Sequence, residues 1–163
     1  EEEDAEWSPD ALSAMYAVTG GYPYFVQAYG KAVWDRAPRS PITAEDVTVG
    51  APEAEAELAV GFFGSRYERA TPAEREYLRA MAEASYLRSE GAPDGADTAY
   101  TSVLEIELDS VPTAEVARIL GKKPQSLSPA RDALLKKGLI YSAERGQIAF
   151  TVPHFGRYLR DHA

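Results

Sequence analysis

The chain contains no cysteine, which excludes disulfides, thiolate zinc sites and a cysteine nucleophile. Histidine is almost as scarce. The two present, His154 and His162, stand near the C-terminus without a second ligand at metal spacing, so a solvated or capping role is expected and no metal site. Long apolar runs are missing, and the opening residues EEEDAEW are acidic where a secretory leader is basic and then apolar. A soluble, cytoplasmic chain with no membrane partner is expected, cut from something longer. Also missing is any G-x-x-x-x-G-K-[ST] stretch, and with it the backbone nest and lysine that hold phosphates. No apolar strand ends in paired acids that would hold magnesium. Glu53, Glu55 and Glu57 fall around a helix as a solvated acidic face, and no Ser-His-Asp or paired-carboxylate spacing occurs. No catalytic residue is therefore expected, and no enzyme.

What is present suffices for folding. With 163 residues, 45% hydrophobic and 26% charged, the chain can bury one ordinary core or two small ones, which argues against global disorder. The net charge of −9 is unevenly placed: residues 1–111 hold 8 Lys/Arg against 22 Asp/Glu, residues 112–163 hold 9 against 4. An acidic first part and a basic last part point to separate surfaces with separate partners.

Ser8-Pro9 starts a helix in which Leu12, Met15, Tyr16 and Thr19 share a face, and Gly20-Gly21 ends it. In a second helix from Pro23, the residues Phe25, Val26, Tyr29, Val33 and Trp34 repeat with helical period. Thr43 and Asp46 form a cap related to the capping box, and EAELAVGFFGSRYERA reads as a third helix with Leu58, Phe62 and Phe63 on one face. Thr71-Pro72-Ala73-Glu74 starts a helix carrying Tyr77, Leu78, Met81 and Ala82. RSEGAPDGADTA reads as an exposed loop, and Leu104, Ile106 and Leu108 alternate with acids as in a half-buried strand. Thr113 is expected to cap a short helix that Gly121 stops. A second follows from Ser126 to Lys137 with Gly138 as its end, then a hairpin turning at Glu144-Arg145-Gly146 and a closing amphipathic helix.

From Thr71 the order is helix, loop, strand, helix, turn, helix, hairpin, helix, which reads as a winged helix-turn-helix domain. The fold class expected is mainly α with a small β-hairpin: a helical lid bundle over residues 1–70 and a winged-helix domain over 71–163. The basic residues Arg118, Lys122, Lys123, Arg131, Lys136, Lys137 and Arg145 fall in the second.

The stretches TGGYPYFVQAYGKAVWD, PITAEDV, TPAEREYLRAMAE and SLSPARDALLKKGLIYSAERGQIAFTVPHFGRYLR, in this order, resemble the C-terminal part of bacterial AAA-type ATPases of the origin-recognition and STAND-related groups. The resemblance runs from about Trp7 to Arg160. It implies a lid and a winged helix that follow a nucleotide-binding core, with Gly21, Tyr22 and Pro23 at the lid motif beside the nucleotide base. Tyr24 stands where origin-recognition relatives carry an arginine that reaches the γ-phosphate. The resemblance further implies ATP or ADP with magnesium for the parent protein, none for this chain alone, and the upstream ATPase core as a partner. Two roles remain open for the winged helix. One is regulatory, through contacts with another protein. The other is double-stranded DNA binding through Lys122, Lys123, Gln125, Ser126, Ser128, Arg131 and Arg145, types that bond phosphates or base edges. A free-standing transcription regulator is the third, weaker alternative.

Overall fold

The computed structural model describes residues 5–90 and 110–163. These are mainly helical, with one small antiparallel sheet of three strands. The chain divides into two compact units, Glu1–Gly64 and Ser65–Ala163, where the sequence placed the break near residue 70.

In the first unit α1 spans Pro9–Thr19, α2 Pro23–Arg36 and α3 Ala44–Leu58, followed by a π-helical segment Ala59–Gly64. Both expected caps form. The Ser8 hydroxyl accepts from the Ala11 amide at 3.1 Å, and Thr43 and Asp46 make a full reciprocal capping box. That box starts α3 at Ala44, well ahead of the expected third helix, and the helix runs through Pro52. Leu58, Phe62 and Phe63 are buried together as expected, and Phe25 packs edge-on against both phenylalanine rings.

The buried faces of α1 and α2 differ from expectation. On α1 they are Ala11, Met15 and Thr19, while Leu12 and Tyr16 are 56% and 58% exposed. On α2 Phe25, Tyr29, Ala32 and Val33 are buried, but Val26 and Trp34 are 38% and 41% exposed. The reason is close packing: α3 presents Gly50 to Val33, and a Cβ at Gly50 would lie 2.9 Å from the Val33 Cα and Cγ2. Helices this near each other select alanine and glycine at the contact and leave larger residues on the shoulders. Glu53 and Glu55 are also not merely solvated, since Arg36 donates to Glu53 and the Tyr29 hydroxyl donates to Glu55.

The second unit opens with a short helix α4, Ser65–Glu68, and a long one, α5, Pro72–Glu90. Residues 88–90, expected in a loop, extend α5. The rest of that loop and the expected strand at Leu104, Ile106 and Leu108 lie outside the described residues. Then come β1 Val111–Pro112, α6 Thr113–Leu120, α7 Pro124–Lys136, β2 Ile140–Ser142, β3 Gln147–Phe150 and α8 Phe155–His162. The strands lie in the order β1-β3-β2, with Val111 opposite Ile148 and Ile140 opposite Phe150. Helix α5 is central and packs on α6, α7 and α8. Its Tyr77, Leu78 and Met81 are almost fully buried, each stabilising by about 1.5–3 kcal/mol relative to exposure.

Glycines mark the turns as expected. Gly121 ends α6 and Gly146 turns the hairpin, both with positive φ, at 60° and 77°. Two boundaries move. Thr113 is the first residue of α6 and not its cap, and its amide donates to the Gly146 carbonyl at 2.9 Å. Helix α7 begins at Pro124, so Gln125 lies in its first turn rather than ahead of it.

Candidate functional site

Two groups of residues carry the functional expectations, one in each unit. In the first, Gly20 and Gly21 both adopt positive φ, 58° and 69°, and reverse the chain between α1 and α2. Gly21 has a second reason to lack a side chain, because a Cβ there would lie 2.9 Å from the Tyr16 ring. Thr19 holds the reversal from inside: its hydroxyl donates to the Met15 carbonyl and accepts from the Gly21 amide, while its own carbonyl accepts from the Tyr22 amide. Tyr22 is extended ahead of α2, and Pro23 takes the first helical position, where no amide is needed.

The aromatics around this turn split into two sets. Tyr22 leans on Phe25 at 4.8 Å and meets the edge of Phe62 at 6.0 Å. Tyr24 stacks on Phe62 at 4.9 Å and stays 54% exposed. Tyr24 therefore covers the buried phenylalanine cluster and offers no cation to a phosphate.

In the second unit the DNA candidates run from the turn between α6 and α7 along the first half of α7, while Arg145 lies in the hairpin, whose Gly146 carbonyl accepts from the Thr113 amide at the start of α6. Lys122 and Lys123 lie in the turn between those helices, with Gln125 and Ser126 exposed in the first turn of α7. The Ser126 hydroxyl donates to the Lys123 carbonyl at 2.7 Å, and the Ser128 hydroxyl to the Pro124 carbonyl at 3.4 Å. Both hydroxyls are thus bonded back to the backbone, and α7 starts without a side-chain cap. Arg145 sits exposed in the hairpin turn.

Several cations of this unit pair with acids within it. Lys122 pairs with Glu76 of α5 at 2.7 Å, Lys137 with Glu74 at 2.6 Å, Arg118 with Glu115 at 2.6 Å and Arg131 with Asp132 at 3.2 Å. Of the basic residues expected to contact DNA, Lys123 and Arg145 have no acidic partner among the described residues. Within the basic excess of residues 112–163, Lys122 and Lys137 are met by carboxylates that α5 supplies from earlier in the chain.

Lys137 makes two bonds to the start of α5 and the turn before it. It donates to the Arg69 carbonyl as well as to Glu74, and Glu74 closes a reciprocal cap with Thr71 at the start of α5. Burial pushes the Glu74 carboxyl up, yet the Lys137 ammonium and the Thr71 amide outweigh it and hold the carboxyl below its ordinary range. Tyr77, one turn on, is pushed up to about 12, chiefly by burial.

The two histidines stand in different surroundings. His154 holds a positive φ of 63° just ahead of α8, and His162 stacks on Tyr158 at 5.0 Å. Among the described residues no group of three His, Asp or Glu side chains is placed to hold a metal ion, and no helix is long and apolar enough to cross a membrane.

Residues 60–159 match the model of the family described as Domain of unknown function (DUF8462), and the chain belongs to that family. The match takes in nearly all of the second unit. No curated protein and no solved structure matches the chain.

Proposed function

We propose that this chain is the non-catalytic lid and winged-helix region of a bacterial AAA-type ATPase related to the origin-recognition and STAND groups, and that it couples nucleotide state to a protein partner. The first unit is the lid, with Gly21-Tyr22-Pro23 beside the base of ATP or ADP. The second is the winged helix, in which α6 and α7 are the helix-turn-helix and β2–β3 the wing. Phosphates and magnesium belong to an upstream core, because Tyr24 rests on Phe62 and the sequence holds no phosphate loop.

One observation carries the choice of a protein partner over DNA. Lys122, Arg131 and Lys137, together with Arg118, are bonded to carboxylates of their own unit. A surface that binds a polyanion exchanges counterions for phosphates, and cations already paired contribute little to that exchange. Lys123 and Arg145 favour the second reading, double-stranded DNA binding, since both are exposed, one just ahead of α7 and one in the hairpin turn.

The ATPase reading is tested by the reading frame that encodes the chain. The proposal expects, upstream of Glu1 and in frame, a strand followed by G-x-x-x-x-G-K-[ST] and a second strand ending in acids. A start codon close to Glu1, or an upstream domain without those motifs, would overturn it and favour a free-standing regulator.

A further inference from the structure

Glycine inside a helix weakens it and is kept where a side chain would collide. Gly50 in α3 meets that condition, since its Cβ would strike Val33. Gly30 does not. It stands in the middle of α2, where a Cβ would find nothing within 4 Å, so no packing among the described residues calls for it. Its neighbours one turn away on the same face are Val26 and Trp34, the two residues of α2 expected in the core and found 38% and 41% exposed. Together they form an apolar stripe on the solvent side of α2 with bare backbone at its centre. Small residues flanked by larger apolar ones let another helix approach closely.

The charge of the unit says what can approach. Residues 1–64 hold 3 Lys/Arg against 12 Asp/Glu, a net of −9, which disfavours a second copy of the same face and favours a basic partner. We infer that the Val26-Gly30-Trp34 face of α2 is a docking surface for a basic amphipathic helix of another protein, whose apolar side crosses α2 at Gly30. The inference goes beyond the function proposed above and does not depend on it.

The test follows Trp34 emission in the full chain carrying Trp7→Phe, titrated with a Leu/Lys peptide of helical pattern and, separately, with polylysine. A saturable blue shift with the Leu/Lys peptide and none with polylysine is expected. Gly30→Leu should weaken the peptide at least tenfold while the melting temperature holds or rises, which separates loss of docking from loss of fold. Trp34 emission with Gly30→Ala, a smaller step, should fall between. No shift, an equal shift with polylysine, or unchanged affinity in Gly30→Leu would overturn the inference. So would a blue shift produced by raising the protein concentration alone, which would make the face a contact between copies of this chain.

Discussion

Glu74 and Lys137 lie 63 residues apart in sequence and meet at 2.6 Å, with the Glu74 side chain 6% exposed. The same carboxylate caps α5 by accepting from the Thr71 amide at 2.9 Å. One acid thus fixes the start of the central helix and the end of α7. Glu74→Ala removes the cap and the partner of an exposed Lys137, so a loss of about 1–2 kcal/mol is expected, mostly from the missing cap. Chemical denaturation of the variant checks it; a loss within about 0.5 kcal/mol, ordinary for surface sites, would show that the pair is incidental.

The same pair sets part of the acid limb of stability. The folded-state pKa of Glu74 is lowered from 4.5, so the unfolded chain binds a proton before the folded one does. The stabilisation is fully present above the unfolded value and is lost as pH falls through the lower, folded value. Stability measured against pH should fall less steeply below pH 4.5 in Glu74→Gln than in the parent chain.

At the alkaline end the sign reverses in origin but not in outcome. Tyr77 ionises near 10 when unfolded and only at about 12 when folded, so its contribution is intact below 10 and is lost as pH rises towards 12. Ultraviolet titration should show late-ionising tyrosine, and Tyr77→Phe should remove its latest component.

The two helical glycines of the first unit should respond oppositely to alanine. Gly50→Ala forces a Cβ against Val33 backbone at 2.9 Å and should destabilise by about 1–3 kcal/mol. Gly30→Ala enters open space and should stabilise by about 0.5–1 kcal/mol. Thermal melts of the two variants side by side give the comparison.

Local chemistry was the legible part of this fold. Ser8, the Thr43–Asp46 box, Gly121 and Gly146 each act through partners a few residues away, and each forms as the sequence implies. Faces were harder to read. Large residues define a stripe in a hydrophobicity pattern, yet α1 turns Ala11 inward and leaves Leu12 and Tyr16 outside, because the small residue permits the close packing. Pairing across the chain was not legible at all. Lys122 reads as a free cation until α5 brings Glu76 to it from 46 residues away, and the same holds for Lys137. The basic excess of residues 112–163 therefore overstates the field that a partner meets. A cue was present in Glu74 and Glu76, acids on the helix that the whole second unit packs around.

The central claim is that the second unit works through protein contacts because Lys122, Arg131 and Lys137 are paired with acids of the same unit. Its most direct test is titration of a labelled duplex with the chain at two salt concentrations, beside the double variant Arg131→Ala with Arg145→Ala. The account predicts no micromolar binding at the lower salt and no difference in the variant. Binding at micromolar concentration or tighter that weakens both with salt and with the double substitution would contradict it, and would make α7 and the hairpin turn a DNA surface.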